Sequence, residues 1–124
     1  MVSNRWWVYQ RERFPIFKHG LLIAAVCFGA LVFSLPNGER PGPAALARFA
    51  VAFATVFLLF LQLRIADEFK DFEEDRRCRP HRPVPRGLVR LGELRTAAVA
   101  AAAVQLGLAL WVSPRLLLPL AAVW

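Results

Sequence analysis

Residues 51–87 read VAFATVFLLFLQLRIADEFKDFEEDRRCRPHRPVPRG, and this stretch decides how the rest of the chain is interpreted. Its first thirteen residues carry no charge. Six of the chain's nine acidic residues then fall between Asp67 and Asp75, and seven arginines follow between Arg76 and Arg95. An apolar run that ends in dense carboxylates, followed by a basic proline-rich loop, predicts a helix that leaves a membrane at its polar end.

Hydropathy along the whole chain predicts an all-α integral membrane bundle. The 124 residues are 57% hydrophobic, with a mean hydropathy of +0.43. Three apolar runs with their flanks, at about 14–35, 44–66 and 94–112, reach the roughly 20 residues that a spanning helix needs. A fourth run begins at Arg115 and stops after ten residues. We therefore expect one domain over residues 1–124, with three transmembrane helices and a truncated fourth. A soluble helical core is the alternative that these lengths disfavour.

The distribution of charge predicts the orientation of the chain in a cell membrane. A net charge of +7 would suit nucleic acid, but most of it lies in residues 5–18 and 76–95. Two basic segments on one side of a membrane are typical of the positive-inside pattern. The N-terminus and a motif loop at about 67–93 are therefore expected in the cytosol, with membrane lipids and no nucleic acid as partners. The aromatic and charged segment at about 4–14 predicts an interfacial helix.

The spacing of the acidic residues predicts a shared helix face. At about 100° per residue, four carboxylates fall within an arc of about 100°. They are Asp67, Glu68, Asp71 and Asp75. Carboxylates one turn apart repel each other on an isolated helix. Because Mg²⁺ takes one or two carboxylates plus phosphate oxygens, the pattern predicts a metal–diphosphate site at the membrane surface. A solvated acidic extension of the helix is the alternative.

The segment DEFKDFEED at 67–75, followed by RPVPRG at 82–87, resembles the first aspartate-rich motif and following loop of the UbiA-type membrane prenyltransferases. That family's pattern is N-D-x-x-D-x-x-x-D at the cytosolic end of the second span, and then R-P-x-x-x-G. This chain has Asp67-Glu68 in place of Asn-Asp, and it lacks the second aspartate-rich motif of the nine-helix family. The detailed match covers residues 64–95, and the span order resembles the N-terminal third of a family member.

The resemblance implies seven site residues in three roles. They are Glu68, Asp71 and Asp75 as ligands of Mg²⁺, Arg82 and Arg64 as catalytic residues, and Asp67 and Arg86 in donor binding. For each arginine, an anchor to lipid headgroups is the alternative, and for Arg86 it is the preferred interpretation.

The resemblance also implies a reaction, the transfer of a polyprenyl group from a prenyl diphosphate to an acceptor that is often aromatic. Metal ions and basic side chains would stabilise the departing diphosphate. We expect the chain to be a fragment that is inactive alone, and that is completed by further C-terminal helices or by another chain. The alternatives are a membrane component that handles or transports divalent metals, and a non-catalytic membrane interaction protein.

Overall fold

The computed structural model describes residues 4–124, and this part of the chain contains helices and no strands. Residues 1–3 of the expected domain lie outside the described residues. The elements are α1 (Arg5–Arg13), α2 (Ile16–Ser34), α3 (Pro43–Lys70), α4 (Phe72–Cys78), α5 (Leu91–Val112), a 3₁₀ turn (Pro114–Leu116) and α6 (Leu117–Val123). The all-α prediction is confirmed.

Helices α2, α3 and α5 are each long and apolar enough to cross a membrane. The hydrocarbon core of a bilayer is about 30 Å thick, and the 28 residues of α3 rise about 42 Å at 1.5 Å each. This surplus length carries the acidic motif beyond the apolar segment. The helix is interrupted at Asp71, after which α4 continues in the same segment from Phe72.

Large apolar side chains remain exposed along the spanning helices. Phe33 is 94% exposed, Phe17 is 79% exposed and Leu21 is 76% exposed, all on α2. Surfaces this apolar are typical of contact with lipid rather than with water. The exposed faces of the bundle therefore suit a bilayer.

A row of phenylalanines joins α2 to α3. Phe49, Phe53 and Phe57 follow one another at four-residue spacing on α3, with ring centroids 6.3 Å and 5.7 Å apart. Phe28 meets Phe49 edge-on at 6.1 Å, and Phe14 meets Phe57 edge-on at 5.3 Å. Edge-on and offset aromatic pairs add to the energy of burial, so this row fixes the position of α2 and of the segment before it.

Two glutamines join α3 to α5 inside the apolar region. Gln62 Nε2 donates to the Ala98 carbonyl at 3.3 Å, and Gln105 Nε2 donates to the Thr55 carbonyl at 2.9 Å. Both helices place the glutamine and the accepting residue seven positions apart, so the two bonds are reciprocal across an antiparallel pair.

An apolar core lies at the polar end of the bundle. It consists of Tyr9 from α1, Ile65 from α3, Val84 and Val89 from the loop, and Leu94 from α5. Four parts of the chain therefore meet where the acidic motif begins, and this core positions the charged residues around it.

Candidate functional site

The segment RPVPRG folds into a closed turn that is anchored in this core. Pro83 and Val84 are buried, and the Pro83 carbonyl accepts the Leu88 N–H at 2.9 Å. Gly87 donates its N–H to Val84 at 3.0 Å and has a φ of 77°. A side chain at such a φ is strained, whereas glycine adopts it readily. The turn therefore fixes Arg82 at its start.

We expect Gly87→Ala to lower the free energy of unfolding by about 1 kcal/mol because alanine is disfavoured at positive φ. Gly92→Ala is the matched control, since a Cβ would meet nothing within 4 Å at either glycine. In helix α5, Gly92→Ala should instead stabilise by up to about 1 kcal/mol. Chemical unfolding in detergent measures both variants. Effects of the same sign at the two sites would contradict the assigned turn.

Asp75 is a buried carboxylate surrounded by arginines. Its side chain is 1% exposed, and Arg82 Nη1 donates to its two oxygens at 2.7 Å and 2.6 Å. Arg79 Nη1 donates at 3.2 Å, and Arg13 Nη2 lies 3.9 Å from Oδ2. Burial is the largest single influence and raises the pKa of Asp75. The hydrogen bonds and charges of Arg82, Arg79 and Arg13 together outweigh it, so the pKa lies below its ordinary value.

Glu68 forms a second buried ion pair, which links α3 to α1. Its side chain is 1% exposed, and it accepts a hydrogen bond from Nε of Arg13, itself only 8% exposed. Glu68 and Asp75 are seven residues apart, which places both on the inward side of the helical segment. Arg13 therefore contacts one buried carboxylate and lies near the other.

Tyr9 adds an unpaired polar group to this network. It is 4% exposed, and its hydroxyl has no hydrogen-bond partner within the described residues. Burial first, and then the charge of Glu68, raise the pKa of Tyr9 to about 12, although Arg64 and Arg13 oppose the shift. The hydroxyl therefore stays protonated near neutral pH.

Asp67, Asp71 and Arg64 form no ion pair with Glu68, Asp75 or Arg82 in the described part of the chain. Asp67 is exposed and pairs with Arg64 one turn earlier, at 3.6 Å. Asp71 is partly buried at the break between α3 and α4. The structure thus places Glu68, Asp75 and Arg82 together, whereas Arg64 pairs with the exposed Asp67. Of the four carboxylates that are expected on one helix face, Glu68 and Asp75 are buried.

The carboxylate oxygens of Glu68 and Asp75 are ligands of the type that Mg²⁺ prefers. Guanidinium groups, however, already contact both carboxylates. In residues 4–124, no group of three or more His, Cys, Asp or Glu side chains is arranged to hold a metal ion. As arranged, these residues do not fit Mg²⁺. The Mg²⁺ site at Glu68, Asp71 and Asp75 stays a prediction.

A basic recess of about 480 Å³ opens between α1 and the loop. Its lining residues are Glu12, Arg13, His81, Arg82, Pro83 and Arg86. Arg86 reaches Glu12 at 3.3 Å and donates to the His81 carbonyl at 3.0 Å. Three arginines line the recess, each of them is paired with a carboxylate, and guanidinium groups bind phosphate oxygens well. Arg64 is not among the lining residues.

Sequence reasoning missed three members of the network, which are Arg13, Arg79 and Tyr9. Arg79 had a local signal, since it follows Asp75 at the i,i+4 spacing of a helical ion pair. Arg13 and Tyr9 had none, because Glu68 lies 55 positions after Arg13. The sequence pattern indicates only that both belong to the aromatic and charged segment of the predicted interfacial helix.

These features define an all-helical protein with three helices able to cross a membrane and a buried arginine–carboxylate network at one end. No family model, curated protein or solved structure matches the chain. Membership of the UbiA-type family stays a prediction.

Proposed function

We propose that this chain is the donor-binding part of a UbiA-type membrane prenyltransferase, which transfers a polyprenyl group from a prenyl diphosphate to an electron-rich acceptor. The observation that carries the proposal is the basic recess at the polar end of three apolar helices. A prenyl diphosphate has an anionic head and a hydrocarbon tail. Its head matches the arginines of the recess, and its tail matches the lipid-facing helices.

In the proposed reaction, the bond between the allylic carbon and the diphosphate oxygen breaks, and the electron pair leaves with the diphosphate. Arg82 and Arg86 donate hydrogen bonds to the leaving group and stabilise its developing charge. The acceptor then bonds to the allylic carbon and loses a proton to water. Asp75 holds the Arg82 side chain in place, because its two oxygens accept from Arg82 Nη1.

The proposal includes a multi-pass location in the cell membrane, with the basic end in the cytoplasm. Two ion pairs support the view that α1 and the loop region lie at the same end of the bundle. Arg86 pairs with Glu12, and Arg5 pairs with Glu93 at 2.7 Å. Arginine-rich segments on one side favour the cytoplasmic orientation. Further helices or another chain would complete the pocket for the tail and the acceptor.

Binding of farnesyl diphosphate to the chain in lipid nanodiscs tests this proposal. Arg86→Gln should raise Kd about 10- to 100-fold, because a hydrogen bond to a charged group contributes about 1.5–3 kcal/mol. Arg90→Gln is the control, since Arg90 is exposed and does not line the recess. Titrations with neutral farnesol show whether the diphosphate head is recognised. Titrations of farnesyl diphosphate with added Mg²⁺ or with a chelator show whether its binding depends on the metal. Equal Kd values for the Arg86 and Arg90 variants would reject the recess as the donor site.

A non-catalytic membrane interaction protein is the second candidate. It is favoured by the fact that Glu68 and Asp75 are both paired with arginines of the same chain, as in a network that only holds a fold together. This candidate predicts that the chain binds farnesyl diphosphate no better than farnesol in the same titration.

A further inference from the structure

A largely apolar cavity of about 450 Å³ lies between α3, α5 and the last helical segment of the chain. Its wall includes Leu59 of α3, Ala109 of α5 and Leu120 of α6. Its volume falls within the range of small-molecule sites. Of the described residues that line it, Arg48 alone is charged. The cavity therefore suits a hydrocarbon chain that is attached to an anionic group.

A smaller cleft of about 190 Å³ adjoins this cavity. Arg48 and Val51 of α3 and Val112 of α5 line both spaces, so the two share a wall. Trp111 lines the smaller cleft only, and it is 75% exposed. Two apolar spaces that meet at one cation match a ligand with one anionic head and two hydrocarbon chains.

The hydrogen bond from Gln105 to the Thr55 carbonyl relates the depths of the two helices. Arg48 precedes Thr55 by seven residues, and Val112 follows Gln105 by seven. On antiparallel helices, both therefore lie about 10 Å nearer the end of the bundle than this bond. Tryptophan is enriched at membrane surfaces, and Trp111 is next to Val112. A headgroup at Arg48 would thus lie at the membrane surface, with its chains running inward.

The charge of Arg48 is available to an external anion. Arg48 is exposed, and it forms no ion pair within residues 4–124. The three arginines of the recess differ from it, since each is paired with a carboxylate. A guanidinium group binds phosphate through charge-assisted hydrogen bonds. Arg48 therefore matches the phosphate of a lipid.

We propose that this end of the bundle binds one anionic phospholipid, whose phosphate contacts Arg48 and whose two acyl chains occupy the larger cavity and the smaller cleft. A further transmembrane helix matches the site less well, because it would supply an anion to Arg48 only if it carried a carboxylate at the membrane surface. The site lies at the opposite end of the bundle from the recess, and it is independent of the function proposed above.

Titration of phosphatidylglycerol against the chain in neutral detergent, followed by native mass spectrometry, tests the charged contact. Arg48→Gln should raise Kd about tenfold, because a hydrogen bond to a charged group is lost. Arg115→Gln is the matched control, since Arg115 is exposed at the same end, lines neither space and carries the same charge. It should change Kd by less than about twofold. Phosphatidylcholine, which has no net charge, should bind the wild type more weakly than phosphatidylglycerol.

Ala52→Phe tests the place of the acyl chain, because Ala52 lines the larger cavity and is exposed enough to accept a ring. The ring would occupy the space of the chain and should raise Kd about tenfold through lost apolar burial. Ala50→Phe is the control, since Ala50 is exposed on the same helix and lines neither space. If circular dichroism shows that Ala52→Phe does not fold, the Arg48 and Arg115 variants decide the question.

Equal Kd values for the Arg48 and Arg115 variants would overturn the proposal, as would equal values for the folded Ala52 and Ala50 variants. Equal affinity for the two phospholipids would also overturn it. The titration contains no prenyl compound and changes no residue of the recess. Its failure would therefore leave the farnesyl diphosphate result standing, and the reverse also holds.

Discussion

Replacing Arg13 by glutamine is expected to lower the free energy of unfolding by about 3–5 kcal/mol, because the change leaves a buried carboxylate without its charged partner. Glu68 is 1% exposed and Arg13 is 8% exposed, so water screens neither group well. Reversible unfolding in mixed detergent micelles measures the loss. Arg11→Gln removes an exposed charge from the same helix and should change the free energy by less than about 0.5 kcal/mol.

The double variant Arg13→Gln/Glu68→Gln separates the loss of a contact from the burial of an unpaired charge. Two neutral amides can hydrogen-bond to each other, so the double variant should recover most of the stability lost in Arg13→Gln. If Glu68 is exposed to water in solution, Arg13→Gln will match Arg11→Gln and the double variant will recover nothing. That result would contradict the buried pair.

The spanning helices were predictable because their signals are local. Apolar runs of sufficient length define α2, α3 and α5, and the structure keeps the expected spans to within a few residues at most ends. The end of α3 is the exception, since the helix extends beyond its apolar run to Lys70. No proline or glycine lies near Asp71, so the sequence pattern does not indicate the break there.

The candidate site was only partly predictable, because its ion pairs depend on packing between distant segments. Helical spacing correctly placed Glu68 and Asp75 on one face, but it also included Asp67, which is exposed. Which carboxylates become buried depends on α1 and the loop, which cover the inward side of α3 and α4. The choice of Arg13 as the partner of Glu68 follows from the packing of Tyr9 into the core, and no short motif encodes that contact.

Asp75→Asn is expected to lower the free energy of unfolding by about 3 kcal/mol at neutral pH, because Arg82 and Arg79 lose their charged acceptor. Glu74→Gln is the control, since Glu74 is exposed on the same helix and should change the free energy by less than about 0.5 kcal/mol. The detergent unfolding assay used for Arg13 applies here as well. Equal losses in the two variants would mean that α4 contributes only general negative charge.

The dependence of this difference on pH identifies its cause. The pKa of Asp75 is lowered from 3.8 in the folded chain, so ionised Asp75 contributes stability that is fully present above pH 3.8 and is lost as pH falls through the lower folded pKa. The gap between wild type and Asp75→Asn should therefore be constant from neutral pH down to about pH 5 and close in strong acid. The rest of the chain is identical in the two proteins, so its contribution largely cancels in the difference. A gap that stays constant in strong acid would assign the loss to the shape of the asparagine side chain, and the arginine network around Asp75 would not be its source.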